Sequence, residues 1–337
     1  MNKSHVVDVQ AQLLRASREG NLALVKELVG TLGMDPNSQR KDGRTPLMLA
    51  ALFGREEVVA FLLCLPSINT EATGGGMTAL HYAAARGHLQ VVKLLLDHGA
   101  DLAAVTKRCY TPLMMAVGRG RVGVAALLLS LPNINLEART LGGWTALLSA
   151  ASGGHVQVVK LLLDHGADPA AVDVRGITAL MKAAMNGRGE VAALLLSISN
   201  INLEARCGQG MTALHRAVVG GHLNLVKMLL QHGADPTSVD NNGWTILDRA
   251  VSEVQNNNGE KRDKVREVLR HLVVEVGLPV TDKMRGAAAG DAESLAISQQ
   301  RRAEVRSLQK LARRVVWRLP REAQQLLPTT VQDFVNN

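Results

Sequence analysis

Three glycines in the middle of the chain match a pattern that can bind phosphate. Gly118, Gly120 and Gly123 spell GxGxxG, the motif by which many proteins hold a dinucleotide. That chemistry requires the motif between a strand and a helix, so that amides at the helix start face the pyrophosphate. Here the segments on both sides read as helices, so we interpret the motif as a turn between two packed helices.

Ten histidines could indicate a metal site or a general base. Most of them recur about 67 residues apart, which places them in a line along a repeated structure, whereas zinc needs three or four ligands around one point. We expect His81 and His215 to form hydrogen bonds between neighbouring loops. No serine, cysteine or lysine has an activating partner in the sequence. We therefore predict no enzyme, no metal and no cofactor.

Composition narrows the class of protein further. Hydrophobic residues make up 47% of the 337 residues but aromatic residues only 2%, which predicts a core of Leu, Ala and Val. Three cysteines, an odd number without paired spacing, indicate reduced thiols and a cytoplasmic or nuclear location. From the lack of an apolar N-terminal segment and of long apolar runs, we expect no signal peptide and no membrane span. The net charge is +8, but we see no basic face interleaved with aromatics and expect no nucleic-acid partner.

A single unit recurs along most of the chain. It is clearest from Gly75 to Asp101, where Thr78 can cap a short helix, Gly87 ends it, and a second apolar helix runs to Gly99. The threonine recurs at intervals of 33 or 34 residues as Thr45, Thr78, Thr111, Thr145, Thr178, Thr212 and Thr245. Alternate units resemble each other more closely, a pattern for which the sequence offers no reason.

The motifs at these threonines resemble those of the ankyrin-repeat family over about residues 10–280. They read TPLMLA, TALHYA, TPLMMA and TALHRA, and 33 residues is the ankyrin period. The resemblance implies an all-α solenoid of helix-turn-helix repeats with β-hairpin fingers. We expect a capping repeat over residues 1–39 and seven ankyrin repeats over 40–280. In the last repeat, Asn256 to Gly259 and the charged run that follows predict a lengthened loop before a helix at Val265–Val276.

The residue before each threonine is large and apolar in six of the seven repeats. In the ankyrin family this position lies on a finger that points into the concave face, and aromatic residues and Met are enriched at interfaces. The alternative is that each side chain packs on the neighbouring finger. With helix residues such as Arg249, these positions predict one groove for a target protein, formed by Met77, Tyr82, Tyr110, Met115, Trp144, Ile177, Lys182, Met211, Arg216 and Trp244.

The C-terminal segment, after a linker at residues 281–300, has a different pattern. Residues 307–335 resemble a SOCS box, a module that recruits elongin B/C and a cullin. The resemblance places Leu308 in an elongin C pocket. Ala312 stands where that family has cysteine, and Gln325-Leu326 replaces its first Leu-Pro. The implied elongin contacts are Leu308, Leu311, Ala312 and Val316, and the implied cullin contacts are Pro328, Val331 and Phe334.

Two functions therefore remain open for the chain. Residues 301–337 as a small helical SOCS-like module predict the substrate-recognition subunit of a cullin-RING ubiquitin ligase, whose ankyrin face holds the target. Alternatively, the apolar stripe from Leu308 to Leu319 is a C-terminal cap, and the chain is an ankyrin scaffold or inhibitor. A basic amphipathic helix there could also bind calmodulin or a membrane surface.

Overall fold

The repeat threonines begin the inner helices, as their spacing predicts. The computed structural model describes residues 3–279. The Thr45 hydroxyl accepts a hydrogen bond from the Met48 amide at 3.3 Å, and the pattern recurs at the other repeats. The inner helices of the repeats are α3 Pro46–Leu52, α5 Ala79–Arg86, α7 Pro112–Val117, α9 Ala146–Gly153, α11 Ala179–Met185, α13 Ala213–Gly220 and α15 Ile246–Asn256.

Each inner helix is followed by an antiparallel outer helix. The outer helices are α4 Glu56–Leu63, α6 Leu89–Asp97, α8 Val122–Leu129, α10 Val156–Asp164, α12 Gly189–Leu196, α14 Leu223–Gln231 and α16 Gly259–Arg270. The chain opens with α1 Lys3–Glu19 and α2 Leu22–Lys26, which continues as a π-helical turn at Glu27–Thr31. This pair packs on α3 and α4 as the predicted capping repeat would.

The chain divides into two compact units, the first ending at Gly208 and the second beginning at Gln209. Within each unit, inner helices pack on inner helices, and in the first unit the outer helices form a second layer. The largest fully buried side chains are leucines and methionines, among them Leu80, Leu113 and Met114. The predicted core with almost no aromatic residues is thereby confirmed.

The two alternating repeat types also differ at the turn between inner and outer helices. The residue just before the outer helix is His in one repeat and Arg in the next, and both donate to a carbonyl at the end of the inner helix of the preceding repeat. His88 Nε2 lies 3.2 Å from the Leu52 oxygen, and Arg121 Nε lies 3.2 Å from the Ala85 oxygen. Helix ends leave carbonyls without intrahelical partners, so the two repeat types satisfy the same requirement with different donors.

The fingers between repeats are tight turns. In the third, fourth and fifth fingers, residues 106–110, 140–144 and 173–177, the first amide donates to the last carbonyl at 3.0–3.1 Å. Neighbouring fingers are joined by single backbone bonds, such as the Leu141 amide to the Arg108 carbonyl at 3.2 Å. Between residues 3 and 279 the only β-pairing is in two isolated bridges. The fold class is as predicted, with fingers too short to count as strands.

The last repeat departs from our prediction. We expected the charged run after Gly259 to belong to the loop, but it forms the first turns of α16. Lys264 lies 2.7 Å from Glu260 one turn earlier, and Lys261 lies 2.9 Å from Glu253 on the preceding helix. Ion pairs at this spacing support a helix. The predicted end of the helix is close to the observed one, since a π-helical turn runs from His271 to Glu275.

Candidate interaction surface

The side chains that precede the threonines differ in accessibility. In the first unit Met77, Tyr110 and Trp144 are partly exposed, but Ile177 is buried. In the second unit Met211 is buried, and Trp244 is partly exposed. Ile177 and Met211 are therefore not presented to a partner, and their burial is what the alternative, packing on the neighbouring finger, predicts for these two positions.

The helix residues expected in the same groove also divide. Met115 in the first unit and Arg216 in the second are partly exposed, whereas Tyr82 and Lys182 are buried. The Tyr82 hydroxyl donates to the Gly74 carbonyl at 2.8 Å and accepts from Arg44 Nε at 3.1 Å. Tyr82 is thus fixed between two fingers and is not presented to a partner.

Lys182 is the centre of a buried charged cluster. Its ammonium donates to an Asp173 carboxylate oxygen at 2.8 Å, and only 4% and 3% of the two side chains are exposed. The same ammonium lies 4.0 Å from the centre of the Trp144 ring. Burial alone would raise the pKa of Asp173, but bonds from Lys182 and from the amides of Ile177 and Arg175 hold that pKa below its ordinary value. The cluster fixes Trp144 from one side.

The second unit has a related cluster, in which the basic residue lies over the tryptophan of its own finger and not of the preceding one. Arg249 donates to Asp240 through two guanidinium nitrogens and stacks over the Trp244 ring at 4.8 Å. Burial would raise the pKa of Asp240, but bonds from the Trp244 amide and from Arg249 hold it low. In both units an aspartate begins the finger and a basic residue follows nine positions later.

Fingers that begin with threonine have a neutral partner instead. Thr106 accepts from the Tyr110 amide at 3.0 Å, and Met115 stands nine residues later. Thr140 accepts from the Trp144 amide at 3.1 Å, and the residue nine later is Ser149. The fourth residue after the repeat threonine is Leu, Tyr, Met, Lys or Arg in six of the seven repeats. Only in the fourth repeat, at Ser149, is this residue small.

This small residue leaves a pocket of about 380 Å³ between the third and fourth repeats. Tyr110, Met115 and Trp144 line its walls, and Arg119 lies at its edge. The two serine hydroxyl groups in it are already engaged: Ser149 donates to the Thr145 carbonyl at 3.0 Å, and Ser152 accepts from Asn186 at 2.9 Å. The pocket is thus suited to an apolar side chain.

Two apolar residues that were not predicted from the sequence are exposed on the fourth and fifth fingers. Leu141 is 69% exposed and Val174 is 72% exposed. Both occupy the second residue of a finger, four before the threonine, where the earlier fingers have Lys41, Gly74 and Lys107. We examined the residue one before the threonine, but the exposed tip lies three residues earlier.

We define the inner face of the first unit as its five fingers, residues 40–44, 73–77, 106–110, 140–144 and 173–177, with the helix ends Arg86 and Arg119. Besides the buried pair of Lys182 and Asp173, this face has one carboxylate, Asp42. It has eight basic residues, Arg40, Lys41, Arg44, Arg86, Lys107, Arg108, Arg119 and Arg175. On this face, therefore, the basic residues outnumber the carboxylates.

Most acidic residues of the first unit lie on the outer helices and the loops that leave them. Glu56 and Glu57 begin α4, Asp97 ends α6 and Asp164 ends α10. Glu137, in the loop after α8, accepts from the Asp168 amide at 3.0 Å, which ties two successive loops together. Apart from Asp42 and the buried Asp173, the inner face therefore has none of these carboxylates.

The histidines act as hydrogen-bonding groups in the described part of the chain. His81 Nε2 lies 2.9 Å from the Tyr110 carbonyl of the next finger, and Nδ1 lies 3.3 Å from the Thr78 amide. These partners assign the neutral ring with its proton on Nε2. Burial lowers the pKa of His81. No cluster of three or more potential metal ligands occurs among residues 3–279.

Comparison with known families identifies the repeats. The family model for ankyrin repeats in three copies matches residues 13–106 and 180–271, more than half of the chain. A second model, for ankyrin repeats in many copies, matches residues 125–163 and 147–196. The chain belongs to the ankyrin-repeat family. The repeats are accordingly a protein–protein interaction domain, a binding scaffold.

Several curated relatives contain similar ankyrin repeats. The E3 ubiquitin-protein ligase XBAT33 of Arabidopsis thaliana is 32% identical over 57% of this chain and 36% of its own length. The B-cell lymphoma 3 protein homolog of Mus musculus is 33% identical over 58% and 45%. The ankyrin repeat and SOCS box protein 3 of Bos taurus is 34% identical over 48% and 31%. The matched part spans less than half of each relative.

A solved structure gives the same fold. The ankyrin repeat domain of human ASB11 superimposes with a TM-score of 0.60 at 27% identity, over 66% of this chain and 98% of that domain. This supports the resemblance of the array to that of ankyrin repeat and SOCS box proteins. Over residues 3–279, no helix combines the length and the apolar character needed to cross a bilayer.

The linker and the SOCS-like segment lie outside the described residues. This applies to the predicted elongin contacts Leu308, Leu311, Ala312 and Val316, and to the predicted cullin contacts Pro328, Val331 and Phe334. These assignments stay predictions from sequence.

Proposed function

We propose that this chain is the substrate-recognition subunit of an elongin/cullin-RING ubiquitin ligase. The ankyrin array would hold a target protein while residues 301–337 hold elongin B/C and a cullin. The chain would carry out no chemistry itself and would act by bringing the target close to the ligase machinery. The observation that carries the proposal is the sequence from Ser307 to Val335, joined to an array that resembles those of ankyrin repeat and SOCS box proteins.

The proposal assigns one apolar stripe to elongin. Leu308, Leu311 and Val316 recur at helical spacing, and Arg313, Arg314 and Arg318 flank them. Leu308 would enter the elongin C pocket. Pro328, Val331 and Phe334 would contact the cullin.

Co-expression with elongin B and C, followed by size-exclusion chromatography, tests the tail. We expect a stable complex with the unaltered chain and its loss in Leu308→Asp. Leu295→Asp, the same change in the linker, is the control and should leave the complex intact. If the unaltered chain forms no complex, the ligase proposal fails and the tail is better explained as a cap on the array.

The proposal assigns target binding to the exposed members of the predicted groove. In the first unit these are Met77, Tyr110, Met115 and Trp144, and in the second unit they are Arg216 and Trp244. Buried interface aromatics contribute most of the affinity in many complexes. A target captured through this groove should be lost in the double variant Trp144→Ala/Trp244→Ala, and retention of the target would exclude the groove.

A scaffold without ligase activity is the second candidate. It is favoured by Ala312 in place of the expected cysteine and by Gln325-Leu326 in place of Leu-Pro. The same elongin experiment separates the two candidates, because a scaffold binds its target equally well with and without a functional tail.

A further inference from the structure

The inner face of the first unit combines a strong charge with a few apolar positions. Its basic residues lie on the first, third and fifth fingers and at two helix ends, whereas the exposed apolar residues Leu141 and Val174 are on the fourth and fifth fingers. The pocket beside Ser149 opens between Tyr110 and Trp144. These features specify a partner more closely than the ankyrin fold does.

We propose that the inner face binds an extended protein segment that is rich in Asp and Glu and carries one apolar anchor residue. The proposal rests on the proposed target-binding role of the array and names the chemistry of its target. The anchor enters the pocket beside Ser149. Acidic residues on one side of the anchor pair with Lys107, Arg108 and the first finger, and further apolar residues contact Leu141 and Val174.

Charge complementarity determines the sign of the partner. With Asp42 and the Lys182–Asp173 pair included, the inner face has a formal excess of seven positive charges. Such a surface attracts an acidic partner from a distance and speeds its association at low ionic strength. An acidic segment also avoids the outer helices and the loops that leave them, where most carboxylates of this unit lie.

The size of the pocket fits a side chain. A volume of about 380 Å³ is at the lower end of the roughly 300–1,000 Å³ that pockets for small ligands occupy. Because the Ser149 and Ser152 hydroxyls already have partners, an apolar anchor leaves neither of these two groups unsatisfied. Arg119 at its edge can pair with a carboxylate next to the anchor.

The same cations could attract nucleic acid, but the aromatic residues argue against it. Single strands are held by bases stacked on successive aromatic rings along a basic groove. Here Tyr82 is buried with Arg44 over its ring at 5.1 Å, and Lys182 covers one face of Trp144. The side chains of the exposed tips Leu141 and Val174 have neither a charge nor a hydrogen-bond donor with which to bind a phosphate. A protein segment uses both the cations and the apolar tips.

Selection from a library of random peptide segments tests the proposal on the full chain. With repeats ~10 Å apart, the five fingers span about 40 Å, or about 12 extended residues. Segments of about 16 residues are therefore long enough. We expect the selected segments to be enriched in Asp and Glu, with one apolar residue at a constant position.

Variants of the chain then separate the two parts of the surface. Ser149→Met places in this repeat the residue that the preceding repeat has at Met115, and so fills the pocket without requiring a new helix conformation. We expect this variant to lower the affinity for the best selected peptide at least ~10-fold, because that is the scale of the free energy gained by burying one apolar side chain. Arg119 is exposed, so Arg119→Glu reverses the charge at the pocket edge at a position that the fold does not depend on.

Charge reversal tests the cations. Lys107→Glu/Arg108→Glu should strongly weaken the binding of the peptide and make that binding less dependent on salt concentration. Lys93→Glu/Lys160→Glu makes the same change in charge on the outer helices α6 and α10, where both lysines are exposed, and should have less than a ~2-fold effect. Circular dichroism of each variant verifies the fold.

Four results would overturn the inference. Two concern the selection: the absence of any enriched segment, and enrichment without acidic residues. The third is that Ser149→Met and Arg119→Glu bind the peptide as tightly as the unaltered chain does. The fourth is that the outer-helix control weakens binding as much as Lys107→Glu/Arg108→Glu does. A 16-nucleotide single strand of DNA that binds as tightly, and with the same sensitivity to the variants, would assign the face to nucleic acid instead. The elongin complex depends on the tail, so its formation is measured on the same variants and succeeds or fails independently.

Discussion

Replacement of Lys182 by methionine removes the cation from the buried cluster and leaves the Asp173 carboxylate in place. The ammonium and the carboxylate are 2.8 Å apart, and both side chains are almost fully buried. Loss of one partner of such a pair costs about 3–5 kcal/mol, because the other charge stays buried without compensation. The cation–π contact with Trp144 contributes a further ~0.5–2 kcal/mol. We therefore expect Lys182→Met to lower the free energy of unfolding by at least ~3 kcal/mol.

The third repeat supplies a matched double variant. There the finger begins with Thr106, and Met115 stands where the fifth repeat has Lys182. Asp173→Thr/Lys182→Met copies that neutral pair, and the threonine hydroxyl can accept the Ile177 amide as Thr106 accepts the Tyr110 amide. Replacement of a whole buried ion pair is often close to neutral, so we expect the double variant to lie within ~1.5 kcal/mol of the unaltered chain.

The pH dependence gives a second signature. In the unaltered chain the pKa of Asp173 is below its ordinary value, so its contribution to stability is present above pH ~4 and is lost as pH falls through the folded-state pKa. Without Lys182, burial raises the pKa of this carboxyl, which can then accept a proton in the folded state. The loss in free energy of unfolding caused by Lys182→Met should consequently become smaller as the pH is lowered from 7 to ~4.5.

Urea unfolding followed by circular dichroism measures these differences. Because a repeat array can unfold in parts, amide hydrogen exchange of residues 173–182 gives the local effect in the same samples. The reasoning is refuted if Lys182→Met costs less than ~1 kcal/mol, or if the double variant is as unstable as the single one. Either result would mean that the cluster is hydrated enough for Asp173 to stay charged without its partner.

Two further predictions concern the turns and the buried histidine. Gly54→Ala should cost about 1–3 kcal/mol in a thermal melt, because φ is +68° and a Cβ would lie 2.6 Å from His88 Nδ1. Gly99→Ala, with φ +80° and open space around it, should cost only the backbone strain of ~1 kcal/mol. His81 has a lowered pKa because of burial, so its contribution is present above pH ~6.5 and decreases as pH falls below that value. His81→Gln should flatten the pH dependence of the melting temperature between pH 7 and 5.

The fold could be predicted from the sequence because it rests on local rules. Each repeat threonine caps a helix, and this requires only its own repeat. The charged run in the last repeat was harder to assign: it lacks an apolar stripe, and its helix is supported by ion pairs such as Lys264–Glu260. The alternation of His and Arg before the outer helices can be read from the sequence. The bond that both residues make to a carbonyl of the preceding repeat can be identified only from the structure.

The accessibility of the candidate surface was predicted less well than the fold, because accessibility depends on pairs of residues. The residue before each threonine looks equivalent in six of the seven repeats, yet Trp144 is partly exposed and Ile177 is buried. A signal for the charged clusters was present: an aspartate nine residues before a basic residue, as in Asp173 and Lys182. The exposed tips could have been found by considering the second residue of each finger.

Under the proposed binding mode, specificity in this array depends on one position per repeat, the fourth residue after the threonine. Where that residue is basic and the finger begins with aspartate, an ion pair closes the space beside the aromatic residue of a finger. At Ser149 the same space is open, although the helix and the finger around it are built in the same way. Because a substitution at this position alters a pocket without altering a cap or a core leucine, binding can change from repeat to repeat while the fold stays constant. A single serine among larger residues is consequently the most informative feature of the inner face.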